Sequence, residues 1–71
     1  MKIQYTEHAR IRMRQRDITE EEVIELLQLP RSVHRRSTQS IKYEVEAIIG
    51  ERKYTVVYTR KDDVFKIITV Y

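Results

Sequence analysis

The stretch that decides the fold is residues 18–30, ITEEEVIELLQLP, where a helix start, an apolar stripe and a helix stop follow one another. Thr19 and Glu22 have the spacing of a capping box, in which each side chain bonds to the backbone amide of the other residue. Pro30 cannot continue a helix. The sequence therefore predicts a helix that begins after Thr19 and ends near Leu29.

The apolar residues of this helix predict which side of it is buried. Ile18 and Val23 occupy the two positions of a hydrophobic staple. Val23, Ile24 and Leu27 share one side, so we expect these three to face the core. The opposite side is polar and consists of Glu21, Glu22, Glu25 and Gln28.

Beyond residue 30 the apolar period changes from 3.6 to 2, which is typical of strands. Apolar residues alternate with charged ones from Ile41 to Ile49, and β-branched and aromatic residues dominate the rest of the chain. The predicted strands are a short edge strand at 32–36, then 41–49, 53–59 and 64–71, with turns at 50–51 and 61–63.

Ahead of residue 18 the chain predicts a first helix over residues 7–16. Thr6 is a suitable N-cap, and the Glu7 carboxylate suits the positive end of the helix dipole. Asp17 follows at the position where a left-handed residue ends many helices.

These elements predict an α+β fold, with two N-terminal helices packed on a three- to four-stranded antiparallel sheet. The 71 residues contain no linker-like segment, so a single domain over residues 1–71 is expected. The last two strands are apolar on both faces in places. A partner or a second copy of the chain, forming a homodimer, is therefore a candidate cover for the face without helices.

Composition excludes several classes of function. The chain has no cysteine and only two histidines, which are not at ligand spacing, so we expect no metal site and no cofactor. It has no glycine-rich phosphate loop and no nucleophile elbow. Residues 2–7 do not resemble a signal peptide, and no apolar run is long enough to span a membrane, so the expected location is the cytoplasm.

The net charge of +3 and the pI of about 9.4 do not by themselves establish nucleic-acid binding. The distribution of charge is more informative. Residues 8–16 contain four arginines and no acid, and residues 17–25 contain five acids. In a helix, His8, Arg12 and Arg16 lie four residues apart on one side, next to the apolar Ala9 and Met13.

This spacing brings together the groups that a metal-independent ribonuclease needs. An imidazole can give and take a proton near neutral pH, and guanidinium groups bind phosphate and stabilise charge that builds on phosphorus. The alternative is structural. Arg12 and Arg16 could pair with Glu20, Glu22 or Glu25 of the next helix, and His8 could be a hydrogen-bonded residue at a helix start.

A second basic cluster surrounds the predicted edge strand and consists of Arg31, His34, Arg35 and Arg36. It suits a nucleic-acid backbone, and it equally suits an edge that charge protects against aggregation. Five tyrosines interleave with Lys42, Arg52 and Arg60. Tyrosines on a sheet can stack on bases, but in a small domain most of them are core or rim residues. These five are Tyr5, Tyr43, Tyr54, Tyr58 and Tyr71.

The pattern of the helical half resembles that of a bacterial family of unknown function, number four-two-five-eight in its series. The residues that carry the resemblance are His8-Ala9, Arg12-Met13, Arg16, Ile18 to Val23, Leu27 and Pro30, together with the final Ile-Ile-Thr-Val-Tyr. The likeness covers nearly the whole chain. The chain departs from the pattern at Asp17, where a glycine is usual.

That family is grouped with RelE- and BrnT-like toxins of the barnase–EndoU–colicin–RelE fold. The resemblance implies an RNA-cleaving toxin or toxin relative with an antitoxin partner, and it implies His8, Arg12 and Arg16 as active-site residues. We therefore expect His8 to be the general acid/base, with Tyr71 completing the site from the last strand. The residues expected to contact RNA are Arg35, Arg36, Lys42, Arg52 and Arg60.

Two other hypotheses stay open at this point. The chain could be a non-catalytic module that binds RNA or a protein through a degenerate toxin fold, in which case the arginines act only as charge. It could also be a structural dimer whose sheet is completed by a second copy.

Overall fold

A computed structural model of the protein describes residues 2–29, 33–36 and 42–71. The elements are β1 (Lys2–Tyr5), α1 (Glu7–Gln15), α2 (Glu20–Gln28), β2 (Val33–Arg36), β3 (Tyr43–Ile49), β4 (Arg52–Lys61) and β5 (Val64–Val70). Four residues that the predictions name lie outside the described residues. They are Pro30 at the predicted helix stop, Arg31 of the basic cluster, Ser32 at the start of the predicted edge strand, and Ile41.

The described strands form one sheet in the order β1-β5-β4-β3-β2. From β2 to β5, each strand pairs antiparallel with the next strand along the chain, as predicted, and β2 lies at the edge. The prediction of a three- to four-stranded antiparallel sheet missed β1, which pairs with β5 in parallel and makes the sheet five-stranded and mixed. The α+β class and the two helices are confirmed. β1 was missed because four residues carry little periodicity of their own.

The turns follow the local chemistry of the sequence. Gly50 begins the turn between β3 and β4 with a φ of 66°, a value that glycine adopts without strain. Asp62 has a φ of 55° in the turn between β4 and β5, and Asp17 has a φ of 56° after α1. The left-handed conformation predicted for Asp17 is confirmed. Lys61, which was assigned to the second turn, is the last residue of β4.

Both helices pack on one face of the sheet around a shared apolar core. The predicted orientation of α2 was partly wrong, because Val23 and Leu26 are buried whereas Ile24 is 36% exposed. Leu27 is half-buried. The buried apolar residues are Ala9, Met13, Ile18, Val23, Leu26, Val45, Ala47, Tyr54, Val56, Tyr58, Ile67 and Val70.

Thr6 fixes the start of α1 to the centre of β5. Its hydroxyl accepts from the Ala9 amide at 3.0 Å, as expected of an N-cap, and donates to the Ile68 carbonyl at 2.8 Å. Its amide donates to the Ile67 carbonyl at 3.0 Å. The register of β5 against β4 shifts at this level, where Ile68 is the extra residue of a bulge.

Candidate functional site

One side of α1 faces α2, and one of the arginines on this side pairs with a carboxylate of α2. Arg10 Nη1 lies 3.0 Å from Glu20 Oε1, and the guanidinium lies 4.8 Å from the centroid of the Tyr5 ring. Arg14 shares this side, where a cavity of about 390 Å³ is lined by Arg10, Met13, Arg14, Ile18, Thr19 and Glu20. Arg10 is therefore the α1 arginine that pairs with a carboxylate of α2.

His8, Arg12 and Arg16 lie on the opposite side of α1, and we call these three residues the α1 flank. His8 and Arg16 are exposed and Arg12 is half-buried. Within residues 2–29, 33–36 and 42–71, no carboxylate lies at ion-pair distance from any of them. Among those residues, the structural alternative of pairing with α2 is thus realised by Arg10 and Glu20 rather than by the α1 flank.

The end of the α1 flank is joined to the sheet by Arg52. Arg52 Nη2 donates to the Arg16 carbonyl at 2.6 Å, which satisfies a carbonyl at the C-terminal end of α1. The Arg52 guanidinium also lies 5.1 Å from the centroid of the Tyr54 ring. Arg52 was predicted to contact RNA. The structure places it beside Arg16 and gives it a helix-capping bond.

The same end of the sheet holds the start of α2. The predicted capping box is present, since Glu22 Oε1 accepts from the Thr19 amide and Thr19 Oγ1 accepts from the Glu22 amide. The second carboxylate oxygen, Oε2, accepts from the Tyr54 hydroxyl at 2.9 Å. The bonds from the Thr19 backbone and from Tyr54 lower the pKa of Glu22, and burial followed by the bond to Glu22 raises the pKa of Tyr54.

Tyr71 follows β5 and is 44% exposed. Its amide and carbonyl both bond to Thr55, at 2.8 and 2.7 Å, so the pairing of β4 with the last strand continues to this residue. Its ring makes no contact with the α1 flank among the interactions of the described residues. The predicted role of Tyr71 in catalysis stays a prediction.

A second group of candidate side chains lies on the helix-facing side of the sheet. Tyr43, Tyr58 and Phe65 come from three adjacent strands, and we call them the aromatic row. The Tyr43 and Tyr58 rings are stacked with centroids 5.3 Å apart, and the Tyr58 and Phe65 centroids are 5.4 Å apart. His34 Nδ1 lies 3.0 Å from the Tyr58 hydroxyl. Burial raises the pKa of Tyr58, Tyr43 adds to the rise, and Arg60 opposes it.

Two exposed arginines flank the aromatic row. Arg36 lies 5.8 Å from the centroid of Tyr43, and Arg60 lies 5.0 Å from the centroid of Phe65. Arg60 Nε also donates to the Asp62 carbonyl at 3.3 Å. In the described part of the chain, neither guanidinium is paired with a carboxylate. Aromatic rings and a backbone carbonyl hold them, and these leave their full charge available.

The other predicted RNA contacts are placed differently. Arg35 belongs to the opposite face of the sheet, where its Nη2 lies 3.5 Å from Glu46 Oε1. Lys53 Nζ lies 3.4 Å from the other oxygen of Glu46, so the two cations share one carboxylate on this face. Lys42 is exposed just before β3.

The described residues contain no group of three or more His, Cys, Asp or Glu side chains arranged to hold a metal ion. None of the helices in the described part of the chain is long and apolar enough to span a membrane.

The sequence model of one family, described as "Domain of unknown function (DUF4258)", matches residues 5–71. The chain belongs to the DUF4258 family. No curated protein and no solved structure matches it significantly.

The range matched by DUF4258 begins at the last residue of β1 and includes both the α1 flank and the aromatic row. Sequence reasoning found the flank because its spacing is local to one helix. It counted His34 only as a basic residue and missed its bond to Tyr58. The one available signal was the tyrosine-rich, alternating pattern of β3 and β4, which does not reveal the register between strands.

Proposed function

We propose that this protein is a small, metal-independent endoribonuclease of the toxin type, related to RelE- and BrnT-like toxins. In this proposal His8 is the general acid/base, and Arg12 and Arg16 bind the scissile phosphate. The observation that supports it is the α1 flank, an imidazole and two guanidiniums that have no carboxylate partner in the described part of the chain.

The electrostatic argument depends on the contrast between the two sides of α1. The carboxylate of Glu20 lies 3.0 Å from Arg10 and competes with a phosphate for that guanidinium. Among the described residues Arg12 and Arg16 have no such competitor, so a phosphodiester is the natural counter-ion for both. The half-buried position of Arg12 also reduces solvent screening and strengthens its interaction with an anion.

The proposed reaction uses the ribose 2′-hydroxyl as the nucleophile. His8 removes the hydroxyl proton, the 2′ oxygen attacks phosphorus, and the bond to the 5′ oxygen of the next nucleotide breaks. The leaving 5′ oxygen takes up the proton from the His8 imidazolium, so the products are a 2′,3′-cyclic phosphate and a 5′-hydroxyl. Arg12 and Arg16 stabilise the charge that builds on the phosphate oxygens.

RNA cleavage in the presence of EDTA tests the proposal. Wild type is expected to cleave single-stranded or ribosome-bound RNA, and His8→Ala and Arg12→Gln are each expected to lose about 100-fold or more in rate. Arg14→Gln is the matched control, because it removes the same charge from the α2-facing side of the same helix and is expected to keep most of the activity.

Equal rates in all four proteins would remove the roles assigned to the α1 flank. Failure of the wild type to cleave varied RNAs, including messages bound to ribosomes, would contradict the activity itself.

A second candidate is a non-catalytic module that binds RNA or a protein. It is favoured by one observation: in the described part of the chain no hydrogen bond orients the His8 ring, whereas catalytic histidines are commonly held by a third group. RNA binding with a steep dependence on salt, together with intact RNA after long incubation, would support this candidate.

The toxin proposal also implies a protein partner. An antitoxin would have to cover the α1 flank with carboxylates in order to silence it. A short acidic or DNA-binding protein encoded in the adjacent gene, and loss of RNA cleavage when the two are mixed, are the expected findings.

A further inference from the structure

The aromatic row differs from the opposite face of the sheet in how its cations are held. On the opposite face, Arg35 and Lys53 both lie at ion-pair distance from Glu46. Around the row, Arg36 and Arg60 lie over rings instead. Such a site offers planar faces and uncompensated positive charge in one place, which are the two properties that a nucleotide recognises.

The geometry gives each part of a nucleotide a counterpart. Tyr43 is half-buried, so part of its ring remains accessible next to the exposed guanidinium of Arg36. Arg36 stands on β2 and Arg60 on β4, two inter-strand spacings or about 10 Å apart, and β3 with Tyr43 lies between them. A base can therefore lie on a ring while the phosphates on either side of it reach the two arginines.

His34 contributes a third donor. When the Tyr58 hydroxyl donates to Nδ1, the ring proton lies on Nε2, and Nε2 is on the far side of the imidazole from the buried tyrosine. His34 itself is exposed, so this N–H is available to a phosphate oxygen. Tyr58 thus acts as a positioning residue for His34.

We propose that the aromatic row, with His34, Arg36 and Arg60, binds an unpaired nucleotide of single-stranded RNA, its base stacked on Tyr43 and its phosphates on the basic side chains. The proposal rests on the proposed function for the choice of RNA as the polymer. It adds the substrate class, because the base faces of a duplex are already stacked on one another and cannot reach the row.

The test measures binding separately from cleavage. The probe is a short fluorescent 2′-O-methyl RNA, which lacks the free 2′-hydroxyl that cleavage needs, and its anisotropy is followed in EDTA as single strand and as duplex. Wild type is expected to bind the single strand more tightly. Tyr43→Leu and Arg36→Gln are each expected to weaken single-strand binding about tenfold.

Arg35→Gln is the matched control for Arg36→Gln. It removes the same charge from the adjacent residue of the same strand, but on the opposite face, where Glu46 is the partner. We expect its affinity for the single strand to stay within about twofold of wild type. Melting curves identify any variant that fails to fold, and Arg36→Gln alone decides the result if Tyr43→Leu is unstable.

Equal losses in Arg35→Gln and Arg36→Gln, or equal affinity of wild type for single strand and duplex, would overturn the proposal in favour of non-specific charge. Displacement of the oligonucleotide by polyglutamate at equal charge would assign the row to an acidic protein instead. Binding that depends on Arg36 in a protein that cleaves no RNA would sink the proposed function and leave this inference standing. If the protein cleaves RNA and the variants of the aromatic row bind the single strand as tightly as wild type, this inference is overturned and the proposed function is kept.

Discussion

Asp17 ends helix α1 in a conformation that suits glycine better than aspartate. Its φ of 56° places the Cβ of an L-residue close to the following carbonyl, at a cost of roughly 1 kcal/mol. Asp17→Gly is therefore expected to raise the free energy of unfolding by about 0.5–1 kcal/mol in urea titrations. Asp17→Ala keeps the strain without the polar side chain and is expected to be no more stable than wild type. A gain from Asp17→Ala equal to that from Asp17→Gly would contradict the backbone explanation.

At the residue scale, the sequence predicted the hydrogen bonds between residues that are close together in the chain. The N-cap at Thr6 and the capping box of Thr19 and Glu22 each involve residues three positions apart. It did not predict that Arg10, rather than Arg12 or Arg16, would meet Glu20. That choice depends on how α1 is rotated against α2, and the rotation is set by packing on the sheet.

At the element scale, the hydrogen bond from Tyr54 to Glu22 joins β4 to the first turn of α2. Tyr54→Phe is expected to lower the free energy of unfolding by about 1–2 kcal/mol at neutral pH, since the acceptor is a charged carboxylate. Tyr43→Phe is the control, because its hydroxyl makes no hydrogen bond with the described residues. Urea titrations of both variants and the wild type give the difference.

The pKa of Glu22 gives this prediction a direction in pH. The folded state lowers the pKa below the ordinary value of 4.5, so its stabilisation is present above pH 4.5 and is lost as the pH falls through the lowered pKa. The difference between wild type and Tyr54→Phe should therefore shrink in acid. A difference that stays constant from neutral pH to well below 4.5 would show that packing, and not the bond to the carboxylate, separates the two proteins.

Long elements that pair with a neighbour in the chain were predictable from the sequence. A short element with a distant partner was not. β3, β4 and β5 have seven to ten residues each and are rich in β-branched and aromatic residues. β1 has four residues, and its partner lies at the other end of the chain. The buried side of α2 was misjudged because Ile24 and Leu26 are equally apolar, and only the position of the sheet selects Leu26.

At the scale of the whole molecule, unneutralised cations matter more than the net charge of +3. If Arg12, Arg16, Arg36 and Arg60 all contact phosphates, log K for single-stranded RNA should fall with log salt at a slope of about −3. Arg12→Gln should make the slope shallower by about 0.7, whereas Arg35→Gln should leave it unchanged. Binding titrations over a series of KCl concentrations measure this. Identical slopes for the two variants would mean that the α1 flank does not touch the nucleic acid.

The sequence could not predict which cations lie on which face of the sheet. Arg35 and Arg36 are neighbours with the same side chain, yet one meets Glu46 and the other meets Tyr43. Period 2 predicts that they point apart. It does not say which of the two shares the side of the helices, because that follows from the register of β2 against β3.

The parallel pairing of β1 with β5 governs the order of events during synthesis. Lys2 bonds to Asp63, and Thr6 bonds to Ile67 and Ile68, so contacts about sixty residues apart hold the start of α1 in place. Closing so long a loop costs entropy that only the completed pairing offsets, and such topologies fold slowly. While β5 is still inside the ribosome, the emerging chain lacks the strand on which the start of α1 is anchored. The α1 flank therefore acquires its shape only after β5 has emerged from the ribosome.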